Sequence, residues 1–524
     1  MTKSIKIFIP CLIGLIICIG LFLRLYHISA NQFLFYDEGM YLGYNRPFLE
    51  LVAKNPAHNM TELAVILSLM FKAALTTAKA LWFFILNLRV FVFGADAWYV
   101  ARWISAMSGL ACVALTFFWA KRYFNSRRIA ALSALILLVL PSHVFYSRLG
   151  MQESLCTFLF LSAVYLYQRQ KGISWSFFVS VVLMACVYLT NYRMIIAPVF
   201  ILFIEVFNAF IMKNKFDWKG LVIYGVCFYG LVLFVGSLYG WINLQANFSW
   251  MTLQAQDAGG KLNLVNFLSY PYDVFVLEGL FFACFFWANI YLIKLKEYAK
   301  LLPFGLVVLQ MMIFSFAAEK GARYLCVVLP FMASASALMV DDFYHRLKNY
   351  RYWFMGFGAL TVMSMLYVSF SITFASTDYE QALRGVLSRD SKSLIVSTQP
   401  LVEGLFLDND KQIVPCPHDA YALLNLYKNG ARFLIIDPQA YVSWTSNKRR
   451  FSPPLEDFLE VAVKEVRPVE TFDHLNKVLL MRFVLDHNEQ ILDSIRFLSQ
   501  SQRSGYGKIR VYDIKTLLSA VGGY

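Results

Sequence analysis

Charge is scarce in this 524-residue chain. Only 15% of its residues are Asp, Glu, Lys or Arg, against 59% hydrophobic and 17% aromatic, and mean hydropathy is +0.55. So little charge cannot clothe a set of soluble domains, which excludes the multidomain soluble protein that length alone would allow. Acids are scarcer still, 33 against 47 Lys and Arg, for a formal net charge of +14. In a chain this apolar, the basic excess belongs to cytoplasmic loops beside anionic headgroups, and nucleic acid is not an expected partner. Eight of the nine cysteines (Cys11, Cys18, Cys112, Cys156, Cys186, Cys227, Cys284 and Cys326) stand in or beside apolar runs, where a thiol acts as a small hydrophobe. Cys416 alone falls in the polar C-terminal region, which excludes a disulfide framework there. No fixed-period repeat, low-complexity segment or clear D-x-D in the loops is present. The isolated His27, His58 and His143 are read as packed, hydrogen-bonded residues rather than ligands or bases.

Apolar runs near the roughly 20 residues needed to span a bilayer are abundant. They fall at about 7–25, 98–119, 129–145, 154–168, 175–190, 194–212, 220–242, 275–293, 301–317, 324–343 and 352–374. The first has a basic start but no convincing small-residue cleavage site, and is read as an uncleaved span. With the N-terminus cytoplasmic, the basic stretches 121–128, 167–172, 212–220, 294–300 and 345–351 all lie inside. That parity requires 46–95 not to change sides, either as interfacial helices or as a pair of spans. The expected fold is therefore a polytopic α-helical membrane protein of about 11 to 13 spans. Residues 1–374 form the membrane domain, with a long first extracytoplasmic loop at 26–97, and 375–524 a small extracytoplasmic α/β domain. In that tail "SKSLIVSTQP", "ARFLIIDPQ", "NKVLLMRFVL" and "GKIRVYDI" read as β-rich runs and "DAYALLNLYKNG" as a helix.

The same parity puts the other outer loops at 146–153, 190–193, 243–274 and 318–323, and several carry charge. "FYDEGMY" offers Asp37 and Glu38 among aromatic rings, where desolvation and mutual repulsion separate two carboxylate pKa values and suit one to act as a base. In "SRLGMQE", Arg148 and Glu153 either pair with each other or face a shared cavity, Glu153 as a further acid. Arg193 is an isolated cation on the outer side, and "EKGARY" supplies Lys320, Arg323 and Tyr324. Guanidinium and ammonium groups at a membrane surface suit a phosphate. Acids and cations together fit bond cleavage at a phosphate ester whose lipid tail lies in the bilayer.

"FYDEGMY", "FFILNLRVFVFGADAWYVARWISAMSGL", "PSHVFYSRLGMQE" and "EKGARYLCVVLP" resemble, in order over about the first 345 residues, the C-type membrane glycosyltransferases. This group includes protein O-mannosyltransferases and the lipid A aminoarabinose transferase. The resemblance implies sugar transfer from a polyprenyl-phosphate donor to a lipid, glycan or protein acceptor at the outer face of the cell membrane. It makes Asp37 the base or acceptor-binding acid and Glu38 its partner. Glu153 takes the place of a usual Asp, and Arg193 that of a frequent Lys. Arg148, Lys320 and Arg323 are counted with the donor-phosphate cations, and Tyr324 is either a phosphate hydrogen-bond donor or an interface aromatic. No metal is assigned, although a divalent ion bridging phosphate and carboxylates is compatible with the chemistry. The other functional classes are a transporter or flippase for a lipid-linked sugar, with polar groups at the midplane, and a non-catalytic glycan-binding receptor.

Overall fold

A computed structural model describes residues 3–29, 36–43, 46–94, 97, 99–169, 172–256, 264–315, 322–346, 351–407, 412–417, 420–437, 466–473 and 508–520. The chain forms two compact units, residues 1–29 with 45–373, and residues 30–44 with 374–524.

The first unit is helical. After α1 (Lys3–Leu25) the chain runs through α2 (Tyr36–Gly43), part of the second unit, and then through four short helices. These are α3 (Arg46–Lys54), α4 (Met60–Leu75), α5 (Ala80–Leu88) and α6 (Val90–Phe93), none of spanning length by itself. There follow α7 (Tyr99–Phe124), α8 (Arg127–Val139), α9 (Pro141–Arg148), α10 (Glu153–Gln168), α11 (Trp175–Thr190), α12 (Pro198–Phe210) and α13 (Trp218–Ser237). The last are α14 (Ile242–Gln256), α15 (Leu264–Glu278), α16 (Leu280–Lys294), α17 (Leu302–Ser315), α18 (Leu329–Arg346) and α19 (Arg351–Thr373). Among the described residues five helical stretches are long and apolar enough to cross a bilayer: Tyr99–Phe124, Tyr192–Phe210, Trp218–Ser237, Arg323–His345 and Gly356–Thr373. The bent pair α8–α9 makes a sixth when taken as one. The expected spans at α10, α11, α16 and α17 are shorter helices; the 16 residues of α11 reach about 24 Å at 1.5 Å per residue.

Side-chain placement follows the solvent. On α13, Val222, Val226, Tyr229 and Leu233, spaced by three or four residues, form a ridge that is 43–67% exposed, a surface suited to lipid rather than water. Trp175, Trp218 and Trp353, in the first turns of α11, α13 and α19, are also exposed, as interfacial aromatics are. Hydroxyls inside the helices donate back one turn: Thr116 to Cys112 O, Ser133 to Ile129 O, Ser315 to Met311 O and Ser334 to Pro330 O. A hydroxyl that carries its own acceptor can enter hydrocarbon at little cost. This is a membrane protein. At its centre lies α18, whose small residues Ala333 to Ala337 are essentially inaccessible and let α8, α16 and α17 approach closely.

The α8–α9 pair bends by 57° at Leu140–Pro141. Proline has no N–H to donate and is favoured at a helix's first position, so it ends one helix and begins another. The break exposes α8's last carbonyls, and fully buried Arg24 of α1 answers them, donating to Leu138 O at 2.6 Å and Leu137 O at 3.5 Å. A cation at a helix C-terminus is also favoured by the helix dipole.

The second unit contains a five-stranded sheet. Its strands are β1 (Leu394–Ser397), β2 (Ile413–Pro415), β3 (Ala431–Ile436), β4 (Glu470–Asp473) and β5 (Lys508–Asp513), in the order β2-β1-β3-β5-β4. β1 is parallel to β2 and β3, with Ile395 opposite Ile413 and Phe433; β5 is antiparallel to β3 and β4, with Tyr512 opposite Leu434. Helices α2, α20 (Tyr379–Arg389), α21 (Pro400–Glu403), α22 (Ala420–Lys428) and α23 (Ile514–Ala520) complete it. Tyr379, Ala382, Leu383 and Val386 are buried at helical spacing on α20, as the amphipathic pattern demands. β1, β3, β5 and α22 fall on four of the segments anticipated from sequence; the fifth, "NKVLLMRFVL", lies outside the described residues.

Candidate active site

Tyr324 is the hub of the first unit's cationic site. It sits in the 3-10 segment Ala322–Val328, 5% exposed, with its carbonyl accepting from Gln310 Nε2 at 2.5 Å and its ring stacked on Phe314 at 5.1 Å. Two guanidinium groups lie over that ring, Arg193 at 4.5 Å and Arg323 at 5.6 Å from its centroid. Arg193 also lies 5.3 Å from the ring of Tyr192. It projects from the 3-10 turn Tyr192–Ile196, which is capped by Asn191 Oδ1 and tied to the α5 entry by the bond from Tyr192 N–H to Ala78 O at 3.1 Å. Two positive charges brought to one ring form a site that an anion stabilises, and the fixed guanidinium planes favour bidentate acceptors such as phosphate.

Glu153 opens α10, 4% exposed, where the helix N-terminus favours its charge, and it accepts from Gln152 Nε2 at 3.0 Å. Helix α10 packs on the Ala322–Val328 segment. Glu153, Glu278 and Arg323 all lie within electrostatic reach of the Cys326 thiol. Three of the five cation-site candidates expected from sequence, Arg193, Arg323 and Tyr324, are thus in direct contact, with Glu153 in the same neighbourhood.

Arg148 is placed elsewhere. It donates to the carbonyls of Leu23 at 2.9 Å, Tyr26 at 2.9 Å and Thr373 at 3.3 Å, joining α9 to the ends of α1 and α19 rather than pairing with Glu153. His143 is buried with Nδ1 2.7 Å from Arg24, as a packed, hydrogen-bonded residue.

Lys320 and the side chain of Asp37 lie outside the described residues; the backbone of Asp37 is in α2. Glu38, beside it on α2, belongs to the second unit and is fully buried. Among the described residues no three His, Cys, Asp or Glu side chains converge as metal ligands.

Some residues escaped the sequence reading. Glu278, in "VFVLEGLFF", accepts from Ser142 N–H at 3.3 Å and so caps α9 from another helix. Arg24, in "LFLRLYH", caps α8. Both carried a usable signal, an unexplained charge inside an apolar run. A third feature had none: an apolar cleft of about 360 Å³ lined by Tyr188, Tyr192, Leu244, Phe248 and Met251, whose wall continues through Tyr192 to Arg193. Asn247 stiffens it by donating to the Tyr188 hydroxyl at 2.6 Å.

The fold is similar to those of solved membrane glycosyltransferases, the kind of protein to which the four motifs pointed. The oligosaccharyltransferase of Archaeoglobus fulgidus in its apo form aligns at 12% identity over 85% of this chain and 72% of that one, TM-score 0.55. The same archaeal protein, AglB, solved with an inhibitory peptide and a dolichol-phosphate, aligns at 12% identity over 85% of this chain and 71% of that one, TM-score 0.52. ArnT from Cupriavidus metallidurans bound to undecaprenyl phosphate aligns at 13% identity over 84% of this chain and 95% of that one, TM-score 0.54. No protein-family model and no curated protein sequence matches the chain, so the likeness rests on fold.

Proposed function

We propose that this protein is an integral membrane glycosyltransferase. It moves a sugar from a polyprenyl-phosphate donor to a lipid, glycan or protein acceptor on the extracytoplasmic side. The observation that carries the proposal is the pair Arg193 and Arg323 on the ring of Tyr324, in a fold whose solved relatives AglB and ArnT hold dolichol-phosphate and undecaprenyl phosphate. The donor phosphate is assigned to Arg193 and Arg323, with Lys320 as a further cation. The apolar cleft walled by Tyr192 suits the start of the prenyl chain.

In the transfer step an acceptor oxygen or nitrogen attacks the anomeric carbon. Its proton passes to Asp37, and the bond from that carbon to the phosphate oxygen breaks with its electron pair leaving on the lipid phosphate. The base raises the acceptor's nucleophilicity and the guanidinium groups stabilise the departing charge. Glu38 is the partner of Asp37, and Glu153 sets the local field around Arg323. Arg148 is assigned a positioning role, because its hydrogen bonds go to carbonyls.

The broken helix α8–α9 is a feature transporters also use to form ion sites from freed carbonyls. Here Leu137 and Leu138 O accept from Arg24, which favours a structural break.

Asp37→Asn tests the proposal. Membranes carrying the variant at normal level are expected to lose transfer from polyprenyl-phosphate sugars. Mass spectrometry of membrane lipids and surface glycans should then show the same missing sugar as the null strain. Full transfer by the variant would sink the assignment of Asp37 as the base, and an unchanged sugar profile in the null strain would favour the receptor reading.

A further inference from the structure

In the second unit, β1 lies between β2 and β3, both parallel to it, so the chain leaves β1 toward one neighbour and later returns to the other. The carboxyl ends of such strands are where open α/β sheets hold ligands. Here that end is closed by the unit's own side chains. The Tyr379 hydroxyl donates to Asp437, Asp437 N–H donates to Thr398 Oγ1 at 2.9 Å, and Gln399 N–H donates to Ser397 Oγ at 2.8 Å. Asp437 and Glu403 are both fully buried. Two residues separate β1 from α21, and packed on α21 is α2, the helix of "YDEGMYLG".

The seat is tight. A Cβ on Gly39 would stand 2.6 Å from Val402 Cγ2 and 3.0 Å from Val402 Cα, so no side chain fits there without displacing backbone. Glu38, Tyr41 and Leu42 of α2 are 0%, 2% and 1% exposed, and the helix packs on α21 and on the turn 404–406 that follows it. We propose that the C-terminal unit acts as the carrier of the acidic helix. By seating Gly39 on Val402 of α21 it fixes the azimuth of α2, and hence the positions of Asp37 and Glu38 in the transfer step. Gly39 and Val402 are then positioning residues. The inference rests on the assignment of Asp37 as the base.

It predicts an effect on turnover rather than on donor capture, because the phosphate cations belong to the other unit. In a transfer assay with full-length protein and a polyprenyl-phosphate sugar, Gly39→Ala is expected to lower kcat at least tenfold with donor KM unchanged. Val402→Ala, which only removes atoms, is expected to lower kcat severalfold by loosening the seat. The double variant is expected to recover part of the Gly39→Ala loss, since the 2.6 Å contact is gone. Wild-type kcat in both single variants, or an effect confined to donor KM, overturns the proposal. Should Gly39→Ala fail to fold, Val402→Ala decides alone. Asp37→Asn, run beside them, separates the two ideas: if it is active the base assignment fails, whereas if it is inactive and both single variants turn over normally only the seating fails.

Discussion

Tyr324 is the residue on which the cationic site turns, and its neighbours are not interchangeable. Arg193→Lys keeps the charge but removes the planar group that lies over two rings, and Arg323→Gln removes a charge outright. A hydrogen bond to a charged group contributes about 1.5–3 kcal/mol, so Arg323→Gln is expected to raise donor KM roughly 10- to 100-fold with acceptor KM little changed. Steady-state kinetics with each substrate varied in turn checks this, and an unchanged donor dependence would remove Arg323 from the site. Arg193, Arg323 and Tyr324 were singled out in sequence because charge is rare beside these spans and the positive-inside rule makes an Arg on the expected outer side stand out. Their meeting on one ring was not, since residues some 130 positions apart carry no local sign of contact. Arg148 presents the same local signal yet spends its guanidinium on carbonyls, which only the packing of α1, α9 and α19 reveals.

The break between α8 and α9 is the element most exposed to a single change. The expected span 129–145 runs straight through Pro141, and the answer to the freed carbonyls came from 114 residues upstream. Arg24→Met keeps the bulk of the side chain and leaves Leu137 and Leu138 O without that donor, at about 1–3 kcal/mol for each buried group left unsatisfied. The variant is expected to show a lower thermal midpoint in detergent, while the protein that remains folded keeps the wild-type donor KM. A changed donor KM at unchanged stability would instead put Arg24 in the substrate site. Short helices tell a similar story. Asn59 accepts from Glu62 N–H at 2.8 Å and the Glu62 carboxylate reaches back to His58 N–H at 2.8 Å, a reciprocal cap that starts α4 where sequence left two options open.

Across the whole molecule, sidedness and pH are the measurable properties. The proposed orientation expects an impermeant thiol reagent added outside intact cells to label Gly430→Cys and to miss Asn125→Cys; the opposite pattern inverts the topology. In the second unit, burial pushes the Glu403 carboxyl well above the usual range, opposed by the neighbouring Ser397 hydroxyl and reinforced by Asp437. Its folded pKa exceeds its unfolded value, near 4.3, so the folded state binds the extra proton and stability declines as pH rises through that window toward the raised value. Glu403→Gln fixes the neutral form. Thermal unfolding of the full chain, read by protease access to the second unit, is expected to match wild type at pH 4 and to exceed it at pH 8. An equal pH slope in both proteins would place the coupling elsewhere.

Composition and run length by themselves determined that the chain is a membrane protein, because hydrocarbon selects on average hydropathy. The strands at 394–397, 431–436 and 508–513 were likewise local, since alternation and β-branching are read within a few residues. The fate of "YDEG" was decided by tertiary structure alone. In sequence it is an acidic loop following the first span, and in space it is a buried helix of the C-terminal unit, held on Val402 more than 360 positions away. Burial energy depends on which surfaces meet, and a contact at that separation is chosen by the fold of the whole chain rather than by any window within it.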